Sequence, residues 1–60
     1  MNTADITAIA HYLIDTHGAK AMAEAAQKAA SFEAAGDGEQ GQFWRRVEAA
    51  VSEMRGPRES

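Results

Sequence analysis

Apolar side chains recur at helical spacing in three segments of the chain, and the first segment lies near the N-terminus. Ile6, Ile9 and Leu13 follow one another at steps of three and four residues, which is the repeat of an amphipathic helix. Gly18 lies just beyond this repeat, where a glycine commonly takes the positive φ that ends a helix. The pattern predicts a first helix over residues 4–16.

An alanine-rich tract fills the interval between Gly18 and Gly36. Alanine has the highest helix propensity of all residues, and nothing in the tract breaks a helix, so a second helix is predicted over residues 19–35. Its best apolar line consists of Met22, Ala25, Ala26, Ala29 and Phe32. Because most of these side chains are small, the helix allows close approach of its neighbours but contributes little to a thick core.

A third helix is predicted from Gly38 onward, with the cleanest apolar stripe of the three. Asp37 and Gln40 have the spacing of a capping box, in which Asp takes the place of Ser or Thr. The stripe consists of Phe43, Val47, Ala50, Val51 and Met54, with Trp44 on its flank. Glycine and proline at 56–57 are typical of the end of a helix.

These elements predict an all-α fold, because no stretch shows the sustained alternation of a β-strand. The short breaks favour an antiparallel helical hairpin with a third amphipathic helix packed across it. Residues 1–56 are predicted to form a single domain and residues 57–60 a disordered tail. Whether the break at Gly18 is a tight turn or a kink in one long helix stays open. The predicted core consists of Ile6, Ile9, Leu13, Met22, Ala26, Ala29, Phe32, Phe43, Trp44, Val47, Val51 and Met54.

Length and charge narrow the possible functions. A chain of 60 residues is marginally stable without help, and it has no cysteine with which to form a disulfide. Self-association or a larger protein partner is therefore expected. The net charge of −3 argues against a nucleic-acid partner and against an anionic membrane surface. No membrane span and no secretory signal are visible, so a cytoplasmic location is expected.

The residue types needed for catalysis or metal binding do not form a pattern in this sequence. His11 and His17 are six residues apart, on different sides of a helix, so they do not form the i,i+4 pair that binds a metal. None of the three serines lies in a nucleophile motif. We therefore expect a protein that is not an enzyme, with no cofactor, no metal and no small-molecule substrate.

The sharpest local feature is Trp44 followed by two arginines, since Trp and Arg are enriched at binding hot spots. Two interpretations stay open: Trp44 anchors the core or a dimer interface, or it belongs to a site for a different protein. The predicted partner-binding residues are Phe43, Trp44, Arg45, Val47, Val51 and Met54.

One further pattern in the chain consists of His17-Gly18, Ala21, Ala25, Gly36-Asp37, and Trp44 with Val47 and Ala50. This pattern resembles that of a group of small helical proteins common in alphaproteobacteria. The resemblance covers about residues 5–54. This group is classed as a domain of unknown function and has no assigned activity. The resemblance implies a helical hairpin in the cytoplasm of a bacterial cell, and it implies no catalytic or binding residues.

The leading functional hypothesis is a small protein–protein interaction module that self-associates, as a homodimer. The alternative is a small inhibitor from a phage or mobile element, of the anti-CRISPR or antitoxin type, that blocks a larger protein complex. A DNA-binding helix-turn-helix protein is a third and weaker hypothesis, which predicts salt-dependent binding to duplex DNA.

Overall fold

The computed structural model describes the backbone of residues 3–55 and the side-chain surroundings of residues 5–55. Helix α1 spans Thr3–His17, a 3-10 turn spans Gly18–Lys20, α2 spans Ala21–Ala34, and α3 spans Gly38–Met54. No strand occurs within residues 3–55, so the predicted all-α class is confirmed. The predicted end of α3 at 56–57 and the predicted disordered tail at 57–60 lie outside the described residues.

The connection between α1 and α2 is a tight 3-10 turn, which answers the question that the sequence left open. Gly18 has a φ of +57°, a conformation that glycine adopts without the steric cost that a Cβ imposes. Neither His17 before the turn nor Lys20 at its end makes a side-chain capping hydrogen bond. We call the segment Gly18–Lys20 the Gly18 turn.

The connection between α2 and α3 is a capped turn. Gly36 has a φ of +82°, and the Asp37 amide donates to the Phe32 carbonyl oxygen at 2.9 Å, as in a Schellman motif. The Asp37 carboxylate then accepts a hydrogen bond from the Gln40 amide at 3.1 Å. This bond confirms the predicted cap of α3 at Asp37.

Helices α2 and α3 form an antiparallel pair. Arg45, in the first half of α3, bonds to Glu33 near the end of α2. Arg55, just beyond the end of α3, donates to the carbonyl oxygen of Ala19, just before α2. The helices approach closely at the buried residue Gly41, where a Cβ would lie 2.8 Å from Glu33 Cγ and 3.5 Å from the Ala29 carbonyl oxygen.

The core is built largely from small side chains. Its buried apolar residues are Ile6, Ala10, Leu13, Ala21, Ala25, Ala29, Val47 and Val51. Ile9, Ile14, Phe43, Trp44, Ala50 and Met54 are partly buried and pack against this core. The largest fully buried side chains are only two valines, Val47 and Val51.

The predicted inward face of α2 needs correction. The sequence predicted Met22, Ala26 and Phe32 in the core, but Met22 is 37% exposed and the other two are only partly buried. The helix buries Ala29, as predicted, together with Ala25 of the predicted apolar line and the unpredicted Ala21, one residue per turn. Alanines on this face let α3 approach closely, whereas a methionine would hold the two helices apart.

Candidate protein-interaction surface

Two adjacent aromatic side chains of α3 and a lysine of α2 form the most distinctive surface feature. The rings of Phe43 and Trp44 have centroids 5.4 Å apart and an interplanar angle of 83°, which is the favoured edge-to-face arrangement. Lys28 Nζ lies 5.6 Å from the centroid of the Trp44 ring, within the range of a cation–π interaction. We call Phe43, Trp44 and Lys28 the aromatic edge. Both of its rings are partly exposed.

Two shallow clefts adjoin the aromatic edge. The first has a volume of about 300 Å³ and is lined by Glu24, Gln27, Lys28, Ser31 and Phe32. The second has a volume of about 200 Å³ and is lined by Glu39, Gln42, Phe43 and Arg46. Each cleft is lined by residues of a single helix and combines an aromatic ring with an acid and a base. Such clefts suit the side chains of a protein partner better than a substrate that must be enclosed.

Arg45 links α2 to α3 within the chain. Its Nε and Nη2 atoms donate to the two carboxylate oxygens of Glu33 at 3.1 and 3.0 Å. Its Nη1 atom donates to the Glu48 carboxylate at 3.1 Å. The planar guanidinium is suited to this two-bond geometry. Three of the five N–H donors of Arg45 are therefore engaged inside the chain.

The six residues predicted to bind a partner separate into three groups. Val47 and Val51 are fully buried, so they stabilise a single chain and offer no surface. Arg45 is exposed but held by the two carboxylates. Phe43, Trp44 and Met54 pack against the core and are also partly exposed, so these three alone combine apolar character with an accessible surface.

One further residue of this surface was not predicted from the sequence. Lys28 lies on α2 and contacts Trp44 on α3. The two residues are 16 positions apart, so no pattern along a single helix predicts this contact. Tyr12, on α1 and outside the aromatic edge, is 63% exposed.

The Arg45–Glu33 pair makes stability depend on pH. Hydrogen bonds from Arg45 lower the pKa of the Glu33 carboxyl below its ordinary value of 4.5, and the positive charge of Arg45 adds to the effect. Since the folded-state pKa is lowered, the contribution is present above the unfolded pKa and is lost as the pH falls through the folded pKa. We expect Arg45→Gln to lower the melting temperature at neutral pH and to have little effect in acid.

Thermal melts at pH 7 and in acid below the folded pKa of Glu33 measure this difference. They are recorded at low salt because salt screens exposed ion pairs. Arg46→Gln is the matched control, since Arg46 is also exposed and lies one residue further along α3. The effect is expected to be small, because both partners of the pair are solvent-exposed. An equal effect of Arg45→Gln at both pH values would contradict the assigned role of Glu33.

The described residues also bear on metal and membrane binding. Within residues 3–55, no three His, Asp or Glu side chains cluster closely enough to hold a metal ion. None of the helices in this part of the chain is both long and apolar enough to cross a membrane. The expectations of no metal, no cofactor and no catalytic activity stay predictions.

Comparison of the chain with protein-family models, with curated proteins and with solved structures gave no match. The resemblance to small helical proteins of alphaproteobacteria therefore stays a prediction.

Proposed function

We propose that this protein is a non-enzymatic interaction module that self-associates through its aromatic edge. One observation carries the proposal: none of the four aromatic side chains is buried in a single chain. Tyr12 is 63% exposed, and Phe32, Phe43 and Trp44 are only partly covered. Aromatic side chains contribute strongly to the stability of cores and interfaces, and they are enriched in protein interfaces.

The thin core supports the same proposal. Half of the buried apolar residues are alanines, and the largest fully buried side chains are valines. A chain of this length buries a small fraction of its surface and is correspondingly marginal. A second copy that covered Phe43, Trp44 and Met54 would bury apolar surface that the single chain leaves in water, and it would stabilise the fold by mass action.

The charges around the aromatic edge favour a second copy of the chain as the partner. Glu24 and Lys28 line one cleft, and Glu39 and Arg46 line the other. In a two-fold dimer the same patch meets itself, so a patch that carries both signs of charge can pair its acids with the bases of its partner. An apolar centre with such a polar rim is the usual anatomy of an interface.

Acrylamide quenching of Trp44 fluorescence tests this proposal, because Trp44 is the only tryptophan of the chain. A dilution series is measured alongside a free tryptophan analogue, whose quenching should not depend on concentration. We expect Trp44 to become more accessible on dilution while the helical circular dichroism is retained. Constant quenching in a folded monomer would contradict self-association and would favour a different protein as partner, as in the inhibitor hypothesis.

The proposed setting is the cytoplasm of a bacterial cell. It rests on the acidic charge and on the resemblance to small helical proteins of alphaproteobacteria. The acidic balance, with a net charge of −3, also supports a protein partner over nucleic acid.

A further inference from the structure

The Gly18 turn is the least supported segment of the described chain. None of its three residues is buried, and it has no side-chain capping hydrogen bond at either end. Gly18 has a φ of +57°, and a Cβ built on it would meet nothing within 4 Å. The turn is therefore held by its own backbone, by the contacts of the flanking helices and by one hydrogen bond from Arg55 to the Ala19 carbonyl oxygen, not by packing around it.

Helices α1 and α2 would become one continuous helix with little local change. Ala19 and Lys20 already lie in a 3-10 turn, and Ala21 is α-helical, with φ −57° and ψ −44°. Gly18 is the only residue from Thr3 to Ala34 with a positive φ, and glycine passes between left-handed and right-handed conformations readily. Continuous helix would also supply intrahelical partners to backbone groups that a helix end leaves free.

Two sets of contacts oppose this straightening in a single chain. Helix α1 buries Ile6, Ala10 and Leu13 in the shared core. Arg55 Nη1 donates to the Ala19 carbonyl oxygen at 3.0 Å, which fastens the Gly18 turn to the end of α3. Straightening in an isolated chain would expose the apolar face of α1 and break the Arg55 bond.

We infer that the Gly18 turn is a hinge, and that the self-associated form exchanges α1 between two copies of the chain. The surface of α2 and α3 that binds α1 within one chain would bind α1 of the second copy in the same way. Exchange of an identical element keeps the core contacts and needs no new complementary surface. This inference rests on the proposed self-association, and it adds an exchanged α1 contact between the two copies to the contact at the aromatic edge.

Gly18→Ala tests the hinge, because one substitution acts in opposite directions on the two forms. Alanine is strained at positive φ in the closed chain, and it is a better helix former than glycine in the straightened one. Since the dimer has two hinges, we expect its dissociation constant to fall by roughly 1,000-fold. Light scattering measures the mass, and dilution gives the constant.

Two other glycines supply matched controls for Gly18→Ala. Gly38 lies at the start of α3 without a positive φ and with open space around it, so Gly38→Ala should leave the dissociation constant unchanged. Gly36 has a positive φ and equally open space, but Asp37 caps a new helix there. Gly36→Ala should therefore lower the melting temperature without promoting exchange.

The distance between the two ends of the straightened helix distinguishes exchange from surface association. Residues 3–34 as one helix are about 48 Å long, whereas the longest dimension of the closed chain is 34 Å. Because the chain has no cysteine, Asp5→Cys with Ala34→Cys gives two unique sites for spin labels. Labelled Gly18→Ala chains are diluted into unlabelled ones. The distance between the two labels of a chain is then compared with the distance between the same labels in Gly38→Ala.

We expect a separation near 44 Å in the Gly18→Ala dimer and a shorter one in the Gly38→Ala control at a dilution where that control is a monomer. A Gly18→Ala dimer with the short separation would overturn α1 exchange and leave self-association standing. A folded Gly18→Ala monomer at all concentrations would also overturn the exchange. If Gly18→Ala does not fold, Arg55→Gln, which removes only the bond to Ala19, should still strengthen dimerisation relative to the unaltered protein, and no change would contradict the inference.

Discussion

Val47→Asp is expected to unfold the chain. Val47 is fully buried, with a relative exposure of 0%, and no buried polar or charged side chain occurs among the described residues. An unpaired carboxylate at this position costs several kcal/mol. This cost is comparable with the whole stability of a small domain, about 5 kcal/mol or less at this length. Far-UV circular dichroism and thermal melts measure the loss of helix.

Ala49→Asp is the matched control for this substitution. Ala49 lies two residues further along the same helix and is exposed, so the same change there should leave the melting temperature nearly unchanged. A Val47→Asp variant that remains helical with an ordinary melting transition would contradict the placement of Val47 in the core.

Trp44→Ala is expected to weaken both the fold and the association. The ring packs against the core, against Phe43 and beneath Lys28, so its removal loses apolar burial, an aromatic pair and a cation–π contact. We expect a loss of about 3 kcal/mol, at the lower end of the range for buried aromatic residues because Trp44 is partly exposed. Thermal melts and the mass in solution measure the two effects.

Trp44→Phe separates the aromatic contribution from the size of the indole. It keeps a ring that can contact Phe43, so it should lose less stability and retain more association than Trp44→Ala. If Trp44→Ala kept both the melting curve and the mass of the unaltered protein, the role assigned to the aromatic edge would be wrong.

The helix ends were predictable because each depends on a few neighbouring residues. Gly36 and Asp37 predicted the break before α3, and the structure has a positive φ at the first and a capping bond at the second. Gly18 predicted the end of α1 in the same way. These signals are local, so they do not depend on where the other helices pack.

The inward face of α2 was predictable only in part, because its alanines resemble one another in size and hydropathy. The predicted line correctly included Ala25 and Ala29, but it also included Met22 and Phe32 and missed Ala21. The choice depends on the close approach of α3 at Gly41, which joins residues distant in sequence.

The sequence predicted which helix carries most of the candidate surface, but it did not predict which residues of that helix stay exposed. The stripe of α3 correctly drew attention to Phe43, Trp44 and Met54, but it also included Val47 and Val51, which a single chain buries. Which side of a wide apolar stripe stays uncovered depends on where α1 and α2 pack. The Glu33–Arg45 bond likewise joins two helices, so no pattern along one helix reveals it.

The mass of the unaltered protein in solution, measured by light scattering over a range of concentrations, tests self-association most directly. A single chain has a mass of 6.4 kDa. We predict a mass near twice this value at high concentration, with a fall toward the monomer only on dilution. A folded protein that stays at 6.4 kDa over the whole range would contradict self-association, and the aromatic edge would then be tested as a site for a different protein.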